Sequence, residues 1–76
     1  MNSKRRTALY RNYDILSEIS HRLEEIKGEE EDALDAIPEN LTNSERYQSI
    51  DEACDNLESA IDALDECIEY IEAATE

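Results

Sequence analysis

The chain has one glycine, one proline, one histidine, two cysteines and neither phenylalanine nor tryptophan. Each scarcity removes a class of answer. One glycine cannot build a Gly-rich phosphate loop, and one histidine supplies no Cys/His or Ser/His/Asp order. Cations are scarce as well: 7 Lys plus Arg stand against 21 Asp plus Glu, a formal net charge of −14. Direct binding to nucleic acid is excluded by that balance, because such affinity comes from Lys and Arg displacing counterions from phosphate. An anionic membrane surface would repel the chain too. With 76 residues it is one small domain, and below roughly 80 residues a single core seldom supplies more than about 3–5 kcal/mol. The 15 Leu plus Ile and four Tyr are thin material for a self-sufficient core, so help from a second chain is expected.

Long hydrophobic runs are also missing. The basic segment from Met1 to Tyr13 is followed by no apolar run of about 7–15 residues, so neither a signal peptide nor a membrane span is predicted and a cytoplasmic protein is expected. Cys54 and Cys67 are read as small buried hydrophobes in a reducing compartment. On one helix they would stand about 20 Å apart, too far for a bond within the chain; a bond between chains is the alternative. Their spacing matches no zinc pattern, so neither a metal nor a cofactor is expected. Asn40-Leu41-Thr42 fits the glycosylation pattern, but without a secretory signal it is read as chance.

What the chain does contain is helical periodicity broken once, at Ile37-Pro38-Glu39-Asn40-Leu41-Thr42-Asn43-Ser44. Proline lacks the helical donor and disfavours helix at the residue before it, so a first helix should span about residues 4–36. Thr42-Asn43-Ser44-Glu45 has capping-box spacing, with Asn43 or Ser44 as alternative caps, so a turn over 37–43 and a second helix over about 44–75 are predicted. Leu9, Leu16 and Leu23, joined by Ile19 and Ile26, mark the apolar stripe of the first helix. Gly28 costs about 1 kcal/mol relative to alanine, and one helix, bent or loosened there, is the preferred reading. In the second helix Ile50, Cys54, Leu57, Ile61, Leu64, Ile68, Ile71 and Thr75 alternate steps of four and three, a heptad seam. Ala53, Ala60, Cys67 and Ala74 form a small-residue row beside it and widen the apolar face. The expected fold is all-α, an antiparallel two-helix hairpin over residues 1–76 that dimerises into a four-helix bundle. The residues expected to form its core and dimer seam are Leu9, Leu16, Ile19, Leu23, Ile50, Leu57, Ile61, Leu64, Ile68 and Ile71. A monomeric hairpin that folds on its partner is the alternative.

Charge is unevenly placed. Residues 1–27 hold six cations and four acids, net +2, whereas residues 28–76 hold one cation and seventeen acids, net −16. Asp51, Asp55, Glu58, Asp62, Asp65, Glu69, Glu72 and Glu76 recur at steps of four and three, a stripe about a quarter turn from the seam. Like charges at these spacings cost about 0.2–0.5 kcal/mol each, roughly 1.5–3.5 kcal/mol for the row. Two accounts compete. In one, Arg5, Arg6 and Arg11 approach Glu69, Glu72 and Glu76, Arg22 and Lys27 approach Asp51 to Glu58, and the stripe is solvated surface. In the other, Asp51, Asp55, Glu58, Asp62, Asp65, Glu69 and Glu72 present carboxylates every ~5 Å to a basic protein groove built for nucleic acid. Tyr70, among acids, would be an anchor. Lys4-Arg5-Arg6 with Arg11 is better suited to pairing within the hairpin than to phosphate. No catalytic residues are expected: His21 is read on the polar face, and Glu18-Ile19-Ser20-His21 matches a di-metal half-motif without its second copy.

The turn Ile37-Pro38-Glu39-Asn40-Leu41 with Ser44-Glu45-Arg46-Tyr47, followed by Asp/Glu-Ala-Ile/Leu repeats to Glu76, resembles small acidic helical-hairpin proteins of unknown function from phages and mobile elements of Gram-positive gut bacteria. That resemblance covers about half the chain and implies an accessory protein, a class that includes anti-CRISPR and anti-restriction DNA mimics. It carries over no catalytic or binding residues. The expected function is thus a non-enzymatic inhibitor or DNA mimic that binds a basic surface of a host-defence protein. The rival is a structural or assembly module acting through the coiled-coil seam.

Overall fold

The computed structural model describes all residues, Met1–Glu76, as two helices and no strand. Helix α1 spans Ser3–Asp35 and α2 spans Glu45–Thr75. They pack antiparallel into a rod of 59 × 15 × 13 Å. No helix is long and apolar enough to cross a membrane.

Local chemistry sets the ends. Asn2 caps α1, its side-chain oxygen accepting from the Arg5 amide at 2.9 Å, which satisfies one of the free N–H groups of a first turn. α1 closes with the Ala36 and Ile37 amides donating back to Asp32 and Leu34, before Pro38 takes extended backbone at φ −58°, ψ 147°. A single 3₁₀ turn, Glu39–Leu41, redirects the chain. The cap of α2 is Ser44, whose Oγ accepts from the Tyr47 amide at 3.1 Å. Thr42, expected as that cap, donates its hydroxyl to the Glu39 carbonyl instead. Gly28 does not interrupt α1, and a Cβ built on it would meet nothing within 4 Å.

The seam of α2 runs as its heptads require, with Cys54 and Ile61 at 7% and 3% exposure and Ile50, Leu57, Leu64, Ile68 and Ile71 half-buried. Opposite it α1 presents Arg6, Leu9, Tyr13, Leu16, Ser20, Leu23, Lys27, Glu30 and Leu34, followed by Ile37 just past its end, all half-buried and again at alternating steps of three and four. Five of these ten are polar or carry a polar tip, so the core is thin. Ile19 is corrected by this arrangement: at 40% exposure, with Ile15 at 55% and Ile26 at 48%, it lies outside the seam. Alternate seam positions of α1 are Arg6, Tyr13, Ser20 and Lys27, and the stronger apolar residues beside them belong to a flanking row.

Arg6 gives the open end of the hairpin a tie. Its Nε donates to the Thr75 carbonyl at 3.0 Å and its Nη2 to the Met1 carbonyl at 3.2 Å. A cation on the last carbonyls of α2 opposes the negative end of the helix dipole.

Candidate interaction faces

The heptad phase of each helix places one row of residues on either side of the seam, and cross-helix contacts identify which rows share a side. Tyr13 Oη donates to Glu72 Oε1 at 2.6 Å, and Ser20 Oγ donates to Asp65 Oδ1 at 2.9 Å. A shallow hollow beside them is lined by Ser17, Ser20, His21, Glu24, Asp65 and Ile68. On this side α2 exposes Asp51, Asp55, Glu58, Asp62, Asp65, Glu69 and Glu72. α1 continues the same face with Asp14, Glu24, Glu31 and Asp35. These four were missed in the sequence because acids were followed along α2 alone; their signal is that they occupy the same heptad phase. Tyr70, 70% exposed, lines an outer hollow of α2 with Asp62, Asp65, Glu66, Glu69 and Ala73.

The expected ion pairs across the hairpin do not form. Both ion pairs lie within α1, Arg22 to Glu18 at 2.8 Å and Lys27 to Glu31 at 3.6 Å. Heptad phase explains it: Lys4, Arg5, Arg11 and Arg22 fall on the outer or opposite rows of α1, Arg6 is committed to backbone carbonyls, and Lys27, which does approach Glu58 closely enough to feel its charge, pairs with Glu31 of its own helix. The direct partners that α1 offers the stripe are the neutral hydroxyls of Tyr13 and Ser20. Tyr13 is held above the ordinary tyrosine range by its bond to Glu72 and by that carboxylate's charge. For Lys27, burial works to lower the pKa, but Glu31, Glu58 and Glu24 together outweigh it and leave it raised. Burial pushes the Cys54 thiol up, and Glu30, Glu31, Asp51 and Asp55 add to the rise.

The other side of the seam is its converse. Ala33, Ala36 and Arg46 line one hollow near the turn, which puts the corresponding rows of α1 and α2 together. On α2 these rows read Arg46, Ser49, Ala53, Asn56, Ala60, Ala63, Cys67, Tyr70 and Ala74, without an acid. On α1 they read Arg5, Ala8, Asn12, Ile15, Ile19, Arg22, Ile26, Glu29, Ala33 and Ala36. One acid and three cations occupy this whole side of a chain whose net charge is −14.

No group of three or more His, Cys, Asp or Glu is placed to hold a metal ion, and Cys54 and Cys67 are free thiols, the first buried and the second exposed. In comparison with known proteins, no family model, curated protein or solved structure matches the chain.

Proposed function

We propose that this protein is a non-enzymatic interaction module whose acidic face binds a basic, nucleic-acid-binding surface of another protein. The type of partner is a nucleic-acid enzyme of host defence, blocked in the manner of a DNA mimic by a phage or mobile-element accessory factor in the cytoplasm. The working form is a homodimeric four-helix bundle. The observation that carries the reading is that no ion pair crosses the hairpin to the stripe; Lys27, the seam cation that feels the charge of Glu58, is paired within α1 to Glu31. A row of like charges costs helix stability, and a row built only for solubility does not need to be continuous or to sit on one side. The carboxylates recur about every 5 Å along roughly 40 Å of helix, approaching the one charge per about 3.4 Å of a nucleic-acid strand. Grooves that bind phosphate backbones are basic and tolerant of sequence, so they accept a regular anionic rod.

The test uses acids that make no hydrogen bond within the hairpin. Protein captured at low salt from a host lysate should be dominated by nucleic-acid-binding proteins, released as salt rises and displaced by duplex DNA. Joint Asp55→Lys, Asp62→Lys and Glu69→Lys substitution should cut capture at least about tenfold with helicity unchanged. Equal capture by the variant, or indifference to competing DNA, refutes the mimicry reading.

The second reading, an assembly module working through its coiled-coil surfaces, is favoured by the exposed isoleucines of α1. For it, Leu64→Asp should abolish function and association together, and neutralising the stripe should leave both intact.

A further inference from the structure

We infer that the acid-poor side of the hairpin is where a second copy of the chain docks, with α1 of each copy lying over α2 of the other. This rests on the dimer reading above and assigns it a surface. It also differs from the arrangement expected from the sequence, because Leu9, Leu16, Leu23, Leu57, Leu64 and Ile68 pack along the seam within one hairpin.

Area gives the first argument. A compact monomer of 8.7 kDa exposes about 4,700 Å² by the usual scaling of surface with mass, whereas this rod exposes 5848 Å². The excess of about 1,100 Å² exceeds the roughly 800 Å² per partner that a standard specific interface buries. Only Cys54, Ile61 and Thr75 are buried in the isolated hairpin, the other seam residues are half-buried, and Ile15, Ile19 and Ile26 are exposed, so apolar area remains for a second copy to cover.

Charge gives the second. Two copies of a −14 chain meet only where their acids point away from the contact. The Ile15–Ile19–Ile26 side offers that. Its opposite, lined by Asp65 and Glu72 and their neighbours, would set like charges against each other at close range, which costs several kcal/mol in interfaces.

Shape gives the orientation. The hydrogen bonds Tyr13 to Glu72 and Ser20 to Asp65 fix the hairpin register. In that register Ile19 lies level with Cys67 and Ile26 level with Ala60. At these two levels large residues project from α1 and small ones from α2, while nearer the open end Ile15 lies level with Tyr70. A two-fold axis along the rod sets Ile19 and Ile26 over Cys67 and Ala60 of the other copy, as interdigitating cores require, and Ile15 against its Tyr70. It also places the cation-bearing half of α1 beside the acidic helix of its partner and makes every neighbouring helix pair antiparallel.

Cys67 is the reporter, since it is exposed in the single hairpin and lies on this side, whereas Cys54 is buried in either state. The experiment follows the sedimentation mass of the full chain from 1 to ~500 μM, together with the site-resolved alkylation rate of Cys67, bracketing the μM to mM range in which such a dimer would fall. Doubling of mass should coincide with at least a tenfold slowing of Cys67 alkylation, and mild oxidation should not cross-link the dimer through Cys67, because the two thiols lie on diagonally opposed helices, too far apart for a disulfide. Ile19→Lys and Ile26→Lys, which touch exposed positions, should remain helical but sediment as one chain. A mass of one chain throughout overturns the dimer reading and this surface together. A dimer whose Cys67 stays reactive, or that survives both lysine substitutions, overturns the surface alone and leaves the dimer standing. A monomer that instead buries Cys67 against a heterologous protein overturns it as well. The acidic face is tested independently by the salt-dependent capture described above.

Discussion

Tyr13, Lys27 and Cys54 share a physical situation: each faces carboxylates of this hairpin, and each has its pKa raised, Tyr13 first by its bond to Glu72, Lys27 by glutamates that outweigh burial, and Cys54 first by burial. A raised pKa means that the folded state holds its proton more tightly than the unfolded chain. The associated stability is complete below the unfolded pKa and is lost as pH rises through the folded one. The three groups start from ordinary values of 10.0, 10.5 and 9.0, all on the alkaline side. The thermal midpoint followed by circular dichroism should therefore be flat with respect to these groups near neutrality and fall above about pH 9–10. Tyr13→Phe removes the phenol that would otherwise ionise beside Glu72, so its midpoint should fall less steeply than that of the parent between pH 10 and 11.5. An identical slope in the two proteins would show that the Tyr13–Glu72 bond does not persist in solution.

At the scale of the elements, Gly28 marks where α1 can be improved. It is helical, and a Cβ there would meet nothing within 4 Å, so Gly28→Ala should stabilise by about 1 kcal/mol through unfolded-chain entropy and helix propensity. In a chain of this size that is a rise of about 4–8 °C in midpoint; a fall would instead identify Gly28 as a working flexure. The two helices themselves are legible in the sequence, α2 from unbroken heptads and the break from Pro38, because both signals are local and chemical. The seam of α1 is less so. Its repeating positions include Arg6, Tyr13, Ser20 and Lys27, half-buried against α2, and a reading weighted by hydrophobicity passes over them to Ile19 and Ile26 one row aside. Which row becomes seam is settled by the phase of the partner helix, which no single helix encodes. The cross-hairpin ion pairs fail for the same reason: placing Arg11 or Arg22 near the stripe in sequence register ignores that they emerge on other rows. The acidic stripe is fully legible in α2, and its extension through Glu24 and Glu31 follows only once the two rows are known to share a side.

For the whole molecule the decisive feature is the segregation of acids to one side and the outer surface, leaving the other side almost free of them. This segregation couples stability, association and partner binding to salt with different signs. Screening shortens the reach of charge from ~30 Å at 0.01 M salt to ~3 Å at 1 M, relieving repulsion within the stripe that costs roughly 1.5–3.5 kcal/mol at low ionic strength. The midpoint of the isolated protein should rise by on the order of 5–20 °C over that range. Self-association through the Ile19 and Ile26 side should tighten in parallel, because the remaining repulsion between two −14 chains is screened while the apolar contact is not. Binding to a basic groove should weaken steeply over the same range, since attraction between opposite charges is what salt removes. The opposition of signs makes the test strict: a partner released at 0.5 M salt is released by a better folded and more fully associated protein, so loss of structure cannot account for it. A midpoint that stays flat from 0.01 to 1 M would mean that the stripe is already compensated, and the acidic face would then lose its claim to be a binding surface.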